Sequence, residues 1–397
     1  MISFAKSNVY SSQGPRQLMM GDGAAGQVEQ LLKGWKIAGG DVLLVADKEV
    51  VKLGLDRKVA APLEAAGYAV AVFDGIVGEP TLEIAEALAG FARQKPFKAV
   101  VGMGGGSSLD MSKLAAAFAT NPEGVTEHLG ATTFAKAPLP LINVPTTAGT
   151  GAEATAVSML SVQGRKAVVL GPQLVPLATV LDAELTKTLP PKITAATGMD
   201  ALSHALEGFM SINASPFTDT QATTCMSIVA RWLKPAYEDG SNMEARRAMI
   251  YGAYIGGLTL NAGVVLGHSV AYTIANRCHL PHGVSCAMAL PYTIAYNLKA
   301  IPERISQAAD LVLGKHGSKP EELVTWVDEL IVALGLPRSL QEVDISETDV
   351  PAMIAECVER YPRPTNPAPI DADRLKVLYE TMVTGDIVRA VEYYQGG

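Results

Sequence analysis

The residues best able to do chemistry lie between Thr197 and Gly208, where Asp200 and His204 stand four apart in Gly198-Met199-Asp200-Ala201-Leu202-Ser203-His204-Ala205. On a helix, a carboxylate and an imidazole at that spacing share one face. That is half of a divalent metal site, which needs donors converging from one direction. His268 in Gly267-His268 and His282 in Leu280-Pro281-His282-Gly283 supply a second pair. On one unbroken helix those two would stand about 21 Å apart, too far to share an ion. Pro281 offers a way out, because proline favours the first turn of a new helix and lets the chain turn back. One Asp and three His make a nitrogen and oxygen site suited to Fe(II) or Zn(II) more than to Mg(II). Taken alone, Asp-x-x-x-His is usually a polar patch on a helix. The crowding of four of the six histidines (His204, His268, His279, His282) between positions 204 and 282 argues for the metal.

The elements that would position these residues follow from the apolar pattern. Val42 to Asp47, Tyr68 to Gly75, Lys98 to Met103, Leu139 to Val144 and Ala178 to Asp182 are short apolar runs. Helical stretches such as Arg57 to Ala66 and Leu82 to Gln94 separate them. Continuous apolar strands alternating with amphipathic helices predict a doubly wound parallel sheet covered on both faces. After Leu189-Pro190-Pro191 the pattern becomes helical: Ala195 to Met210, Thr218 to Tyr237, Met243 to Asn261, Ile301 to Val312, Glu321 to Leu334 and Asp371 to Thr384. The expected fold is therefore an α/β dinucleotide-type domain over 1–189 and an all-α domain over 190–397. Pro362 to Pro369 reads as a surface loop.

Two strand ends are built for phosphate. Gly104-Gly105-Gly106-Ser107-Ser108-Leu109-Asp110 follows the strand ending at Met103, and Pro145-Thr146-Thr147-Ala148-Gly149-Thr150-Gly151 follows the next. Glycines let backbone N–H groups approach a phosphate, and the positive end of the following helix points there. Ser107 or Ser108 is expected to cap that helix. Paired loops of this kind at parallel strand ends form the crevice where nucleotides bind. Asp47, ending an earlier strand, can accept from an adenosine ribose 2′-hydroxyl; it is equally a helix N-cap, and both roles are compatible.

Composition sets the outer limits. The chain has 397 residues, of which 48% are hydrophobic and 18% charged, enough for a large core. A net charge of -8 argues against nucleic acid or membrane surfaces as partners. Cys225, Cys278, Cys286 and Cys357 show no regular spacing, so a disulfide framework is not expected, although two of them flank His282. The opening residues lack the apolar core of a signal peptide, and no apolar run reaches membrane-spanning length; a cytoplasmic protein is expected.

Together these motifs resemble the iron-containing (group III) alcohol dehydrogenase family over essentially the whole chain. Gly104-Gly105-Gly106-Ser107-x-x-Asp110-x-x-Lys113 is similar to its pyrophosphate loop, and Pro145 to Thr150 to its second nucleotide loop. The Asp200 helix and the His268…Pro281-His282-Gly283 spacing are similar to its metal ligands. The resemblance implies an N-terminal dinucleotide domain and a C-terminal helical domain with the active site between them. It implies a metal, Fe(II) or alternatively Zn(II), on Asp200, His204, His268 and His282. It further implies NAD contacted by Asp47, Gly104, Gly105, Gly106, Ser107, Asp110, Thr146, Thr147 and Thr150, with Lys166 on the nicotinamide ribose side. The implied reaction interconverts a small alcohol and its aldehyde or ketone by hydride transfer. A homo-oligomer, a dimer, is expected.

Two positions depart from the family pattern: Tyr272 stands where many members carry a proton-relaying histidine, and Glu79 replaces a common asparagine. Tyr272 also occurs in transhydrogenase-like relatives, so hydroxyacid–oxoacid transhydrogenation and a reductase of acidic aldehydes or oxoacids are alternatives. A lyase of related architecture and a catalytically inert nucleotide binder are others. Arg277 has two readings, a solvated loop residue or a fork for a substrate carboxylate or phosphonate.

Overall fold

The computed structural model describes residues 9–278 and 280–396. The opening residues Met1 to Asn8, His279 and Gly397 lie outside the described residues, and with them the reading of the N-terminus and of the fourth clustered histidine. Two compact units emerge, Ser12–Leu189 and Pro190–Gly397, the latter joined by the segment just before Ser12.

The first unit contains strands β1 (Gln17–Met20), β2 (Gly40–Asp47), β3 (Tyr68–Ile76), β4 (Ala99–Gly104), β5 (Gly130–Ala131), β6 (Leu141–Pro145), β7 (Val157–Val162), β8 (Arg165–Leu170) and β9 (Ala178–Leu181). Its helices are α1 (Val28–Gly34), α2 (Lys48–Lys52), α3 (Arg57–Ala65), α4 (Leu82–Ala92) and α5 (Gly106–Phe118). Six strands form one sheet in the order β1-β9-β6-β4-β2-β3, with every pairing parallel.

Strand β2 shows why its middle, Val42 to Ala46, is apolar without interruption. Val42, Leu44 and Ala46 pack on one face with Val28 and Leu32 of α1 and Val59 and Leu63 of α3. Leu43 and Val45 pack on the other with Leu88 of α4 and Met111 and Leu114 of α5. Side chains alternate across a strand, so a sheet covered on both faces leaves no polar register.

Two features go beyond the sequence reading. The run at Ala178, the last strand in chain order, lies inside the sheet, because β1 pairs with it as the edge. A second sheet, β5-β8-β7, contains a hairpin whose turn residues Gln163 and Gly164 both have positive φ (51° and 73°). Such turns match the twist of the strands they join.

The second unit is helical: α6 (Pro191–Met210), α7 (Pro216–Glu238), α8 (Met243–Thr259), α9 (Leu266–Cys278) and α10 (His282–Asn297) come first. They are followed by α11 (Pro302–Leu313), α12 (Pro320–Ala333), α13 (Val350–Arg360), α14 (Ala372–Thr384) and α15 (Ile387–Gly396). Helix α6 starts on Pro191 and is buried without a break from Gly198 to Met210; α10 is buried from Gly283 to its end. Helices apolar on all sides belong at the centre of a bundle, and these two carry three of the four expected ligands. Among the described residues no single helix is long and apolar enough to cross a membrane.

The segment from Pro362 to Pro369 is a loop but not a free surface one. Asn366 and Ala368 are buried, and the side chains of Asn366 and Asn297 exchange hydrogen bonds of 3.0 and 3.1 Å.

Candidate active site

Three helices each present an i, i+4 pair to one point: Asp200 and His204 from α6, His268 and Tyr272 from α9, and His282 and Cys286 from α10. Helix α9 stops at Cys278, and α10 restarts at His282 with Pro281 as its N-cap. The rings of His268 and His282 thereby come to 5.4 Å, and those of His204 and His268 stack at 5.1 Å. Gly283 permits this approach: a Cβ there would lie 2.1 Å from the Ala196 carbonyl oxygen. Any side chain would push α10 off α6 and carry His282 away from Asp200.

Asp200 is the centre of the cluster and is 2% exposed. Its Oδ1 has no hydrogen-bond partner, yet His204 Nε2 stands 3.7 Å away and His282 Nε2 3.8 Å away. Those distances are too long for hydrogen bonds and suit donors gathered around a cation. Burial opposes ionisation of Asp200, but the charges of His204, His282 and His268 outweigh it and hold the carboxyl below its usual range. One donor atom each from Asp200, His268, His282 and Cys286 lie within 4.8 Å of one another. His282, with about a third of its side chain exposed, is the open side; His204 and His268 are nearly enclosed.

Glu207, one turn beyond His204, escaped the sequence reading. It is 1% exposed; Oε1 lies 2.6 Å from His268 Nδ1, and Oε2 accepts from the backbone N–H groups of Val265 (2.9 Å) and His268 (3.2 Å). A carboxylate on Nδ1 fixes the tautomer that presents Nε2 to a metal. Burial pulls the His268 pKa down, but the Glu207 charge and hydrogen bond raise it on balance. Gly267 makes room for this contact, since a Cβ there would sit 2.6 Å from Glu207 Oε1. The signal was available: Asp200, His204 and Glu207 follow the 4-then-3 spacing of a single helical face.

Tyr272 stacks on His282 (5.6 Å, 19°) and meets His268 edge-on at 6.2 Å. Burial raises the pKa of its phenol above the ordinary value. The Arg277 side chain lies in the last turn of α9, not in a loop. It forms an ion pair with Glu356 (2.8 Å) and donates to the Thr273 carbonyl (2.8 Å). The solvated-loop reading of Arg277 is corrected: the guanidinium is half-buried on a helix, and its Nη1 is taken up by Glu356 and the Thr273 carbonyl. The cation beside the cluster is Arg363, 5.8 Å from the Tyr272 ring, whose buried Nε has no hydrogen-bond partner.

In the first unit the nucleotide motifs gather at the ends of β4, β6 and β2. Thr146 N donates to the Gly104 carbonyl (2.9 Å), joining the two loops. Gly104 has φ +144°, and a Cβ there would meet Ser108 Oγ at 2.6 Å and Asp47 Oδ2 at 2.7 Å. A Cβ on Gly105 would touch Thr147, and one on Gly106 would lie 2.9 Å from Thr150. The expectation of a serine cap on α5 is overturned: Gly105 is the N-cap, no side chain caps the helix, and Ser108 donates to Asp47 at 3.2 Å. Ser107 lies in the same first turn. An N-terminus without a side-chain cap, lined by glycine, leaves room for a phosphate.

Asp47 accepts from Val50 N (2.8 Å) as the cap of α2. Asp110 is taken up internally, Oδ1 by Lys113 Nζ (2.9 Å) and Oδ2 by Met159 N (2.9 Å), which ties α5 to β7. Lys166 on β8 pairs with Glu79 at 2.9 Å, so the two positions singled out separately in the sequence are one ion pair. None of the four cysteines is in a disulfide.

Known proteins show the family of the chain. Residues 15–183 match the family described as iron-containing alcohol dehydrogenase, and residues 194–383 match the C-terminal region of the Fe-containing alcohol dehydrogenase family. The chain is 36% identical over 374 residues to long-chain-alcohol dehydrogenase 1 of Geobacillus thermodenitrificans, covering 91% of this chain and 95% of that protein. The crystal structure of a 1,3-propanediol oxidoreductase superposes with TM-score 0.89 at 30% identity, covering 94% of this chain and all of that one. Sulfoacetaldehyde reductase from Bifidobacterium kashiwanohense, solved with NAD+, gives TM-score 0.87 at 28% identity, over 95% and 100% of the two chains. These relatives are named as dehydrogenases and reductases, which does not favour transhydrogenation. The chain belongs to the iron-containing alcohol dehydrogenase family, NAD-dependent enzymes that use a divalent metal, typically iron, to interconvert alcohols and aldehydes.

Proposed function

We propose that this enzyme interconverts a small alcohol and its aldehyde with NAD(H), holding its metal on Asp200, His204, His268 and His282. The observation carrying the assignment is the buried, unpartnered Oδ1 of Asp200 between two imidazole nitrogens 3.7 and 3.8 Å away. When bound, the metal acts as a Lewis acid toward the substrate oxygen, and NAD takes or gives the hydride. The chain's own residues do the rest. Glu207 holds the His268 ring so that Nε2 faces the site, and the buried walls of α6 and α10 keep water out. Tyr272, stacked on His282, would hold the substrate oxygen or pass its proton.

For the nucleotide, Gly104, Gly105, Gly106 and Ser107 at the start of α5 would cradle the pyrophosphate, with Thr146, Thr147 and Thr150 on the adjoining loop. The second oxygen of Asp47, reached among the described residues by the Ser108 hydroxyl, would accept from the adenosine ribose. Asp110 would serve by fixing α5 to β7, and Lys166 would meet the nicotinamide ribose while neutralised by Glu79. The same proposal places the enzyme in the cytoplasm as a homodimer, which light scattering on purified protein checks. Following NADH absorbance with a panel of aldehydes and alcohols, on protein loaded with Fe(II) or Zn(II), tests the function. Metal-dependent oxidation of NADH by at least one aldehyde is expected, and none across the panel would refute it.

A further inference from the structure

Cys286 belongs to no ligand set discussed so far, yet it stands inside the cluster. It lies one turn beyond His282 on α10, is 2% exposed, and points its Sγ to 3.5 Å from His282 Nε2 and 4.0 Å from His268 Nε2. Its donor atom falls in the same 4.8 Å group as those of Asp200, His268 and His282. The unpartnered Oδ1 of the 2% exposed Asp200 points to the same place, which independently marks a cation position. The sulfur is thus where a ligand belongs, on a helix whose backbone is locked by the close contact at Gly283.

We propose that Cys286 Sγ is a further protein ligand of the divalent ion assigned to Asp200, His204, His268 and His282, and that it makes the site take Zn(II) in preference to Fe(II). Binding breaks the S–H bond as the S–metal bond forms, and the proton leaves to solvent. A thiolate is the softest donor in the set, and for a given set of ligands Zn(II) already binds more tightly than Fe(II). Adding sulfur to nitrogen and oxygen donors widens that gap. The inference rests on the metal reading above, but it can fail separately.

The test is substitution with Co(II), whose thiolate complexes absorb in the near ultraviolet by charge transfer. The wild-type holoenzyme should show that band, Cys286→Ser and Cys286→Ala should lose it while still binding Co(II), and Cys278→Ser should keep it. In anaerobic competition between equal Zn(II) and Fe(II), the bound Zn:Fe ratio should fall about tenfold or more in Cys286→Ser, comparable to losing an important supporting contact. Co(II) bound by wild type without the band overturns the ligand role and leaves the metal reading intact. A band with an unchanged Zn:Fe ratio overturns the metal preference. Wild-type protein that takes up no Co(II), Zn(II) or Fe(II) overturns both readings.

Discussion

In the proposed assignment, the helical unit and the α/β unit would recognise their cofactors by opposite means. Around Asp200 every group that matters is a side chain, fixed in i, i+4 pairs on helices buried along most of their length. At the ends of β4 and β6 the work falls to backbone, and side chains are shaped to stay out of the way, as the glycines at 104 to 106 show. The difference teaches where each half is fragile. Removing one side chain should disable the first site, whereas the second should fail when a side chain is added or a charge is altered.

The sharpest test of this contrast is His282→Ala. Losing the ligand should empty the metal site and cost about a thousandfold or more in kcat/KM, as several kcal/mol of transition-state stabilisation disappear. NADH affinity, measured by fluorescence titration, should change little, because the nucleotide residues belong to the other unit. A metal-free His282→Ala enzyme with normal turnover would break the comparison outright.

Asp47 tests the other half. A 2′-phosphate beside this carboxylate should cost several kcal/mol, so wild type should favour NAD(H) over NADP(H) by about 100-fold or more. Asp47→Asn should narrow that preference mainly by improving NADP(H), and should keep an acceptor for Val50 N at the start of α2. Equal kcat/KM for the two cofactors in wild type would remove Asp47 from the ribose site.

Glu207 sharpens the comparison from within the helical unit, since it would act through His268 instead of touching the metal. Glu207→Gln keeps the shape but loses the charge that holds the His268 tautomer, and should weaken metal binding or turnover by about 10- to 100-fold. A merely structural role would lower stability without changing the metal dissociation constant. Metal titration of the folded variant separates the two.

How much of this was legible in the sequence follows the same divide. The gathering of Asp200, His204, His268 and His282 could be read because helical spacing puts Asp200 and His204 on one face and Pro281 announces a restart. The sheet could be read because strands buried on both faces leave unbroken apolar runs. Edge strand β1 could not, since three of its four residues are exposed and carry no core pattern. Nor could the β7–β8 hairpin, most of whose residues are only partly buried. The fates of Arg277 and Arg363 were decided by distant partners: Glu356 is 79 residues from Arg277, and the Pro362–Pro369 loop that brings Arg363 to Tyr272 is anchored by long-range bonds such as that between Asn366 and Asn297. Spacing reveals what one helix presents to its surroundings, while long-range pairing decides which charges are already satisfied.

The smallest effect expected compares two buried carboxylates. Asp200 and Glu153 are both 2% exposed, but imidazoles surround Asp200, whereas Glu153 sits in the short turn Ala152–Ala154 beyond the Thr150 loop. Burial pushes the Glu153 carboxyl from 4.5 up to about 7, with only its backbone hydrogen bond and the Lys113 charge resisting. The folded chain therefore keeps a proton that the unfolded chain releases. Its contribution to stability is complete below pH 4.5 and is lost as pH rises through 7, where an ionised carboxylate must stay buried. Between pH 6 and pH 8 this should cost wild type about 1 kcal/mol relative to Glu153→Gln, which carries no titrating group. Urea unfolding of both proteins at the two pH values measures it. Parallel pH dependence would mean that the charge of Lys113, 0% exposed on the neighbouring helix, already compensates Glu153 as the imidazoles compensate Asp200.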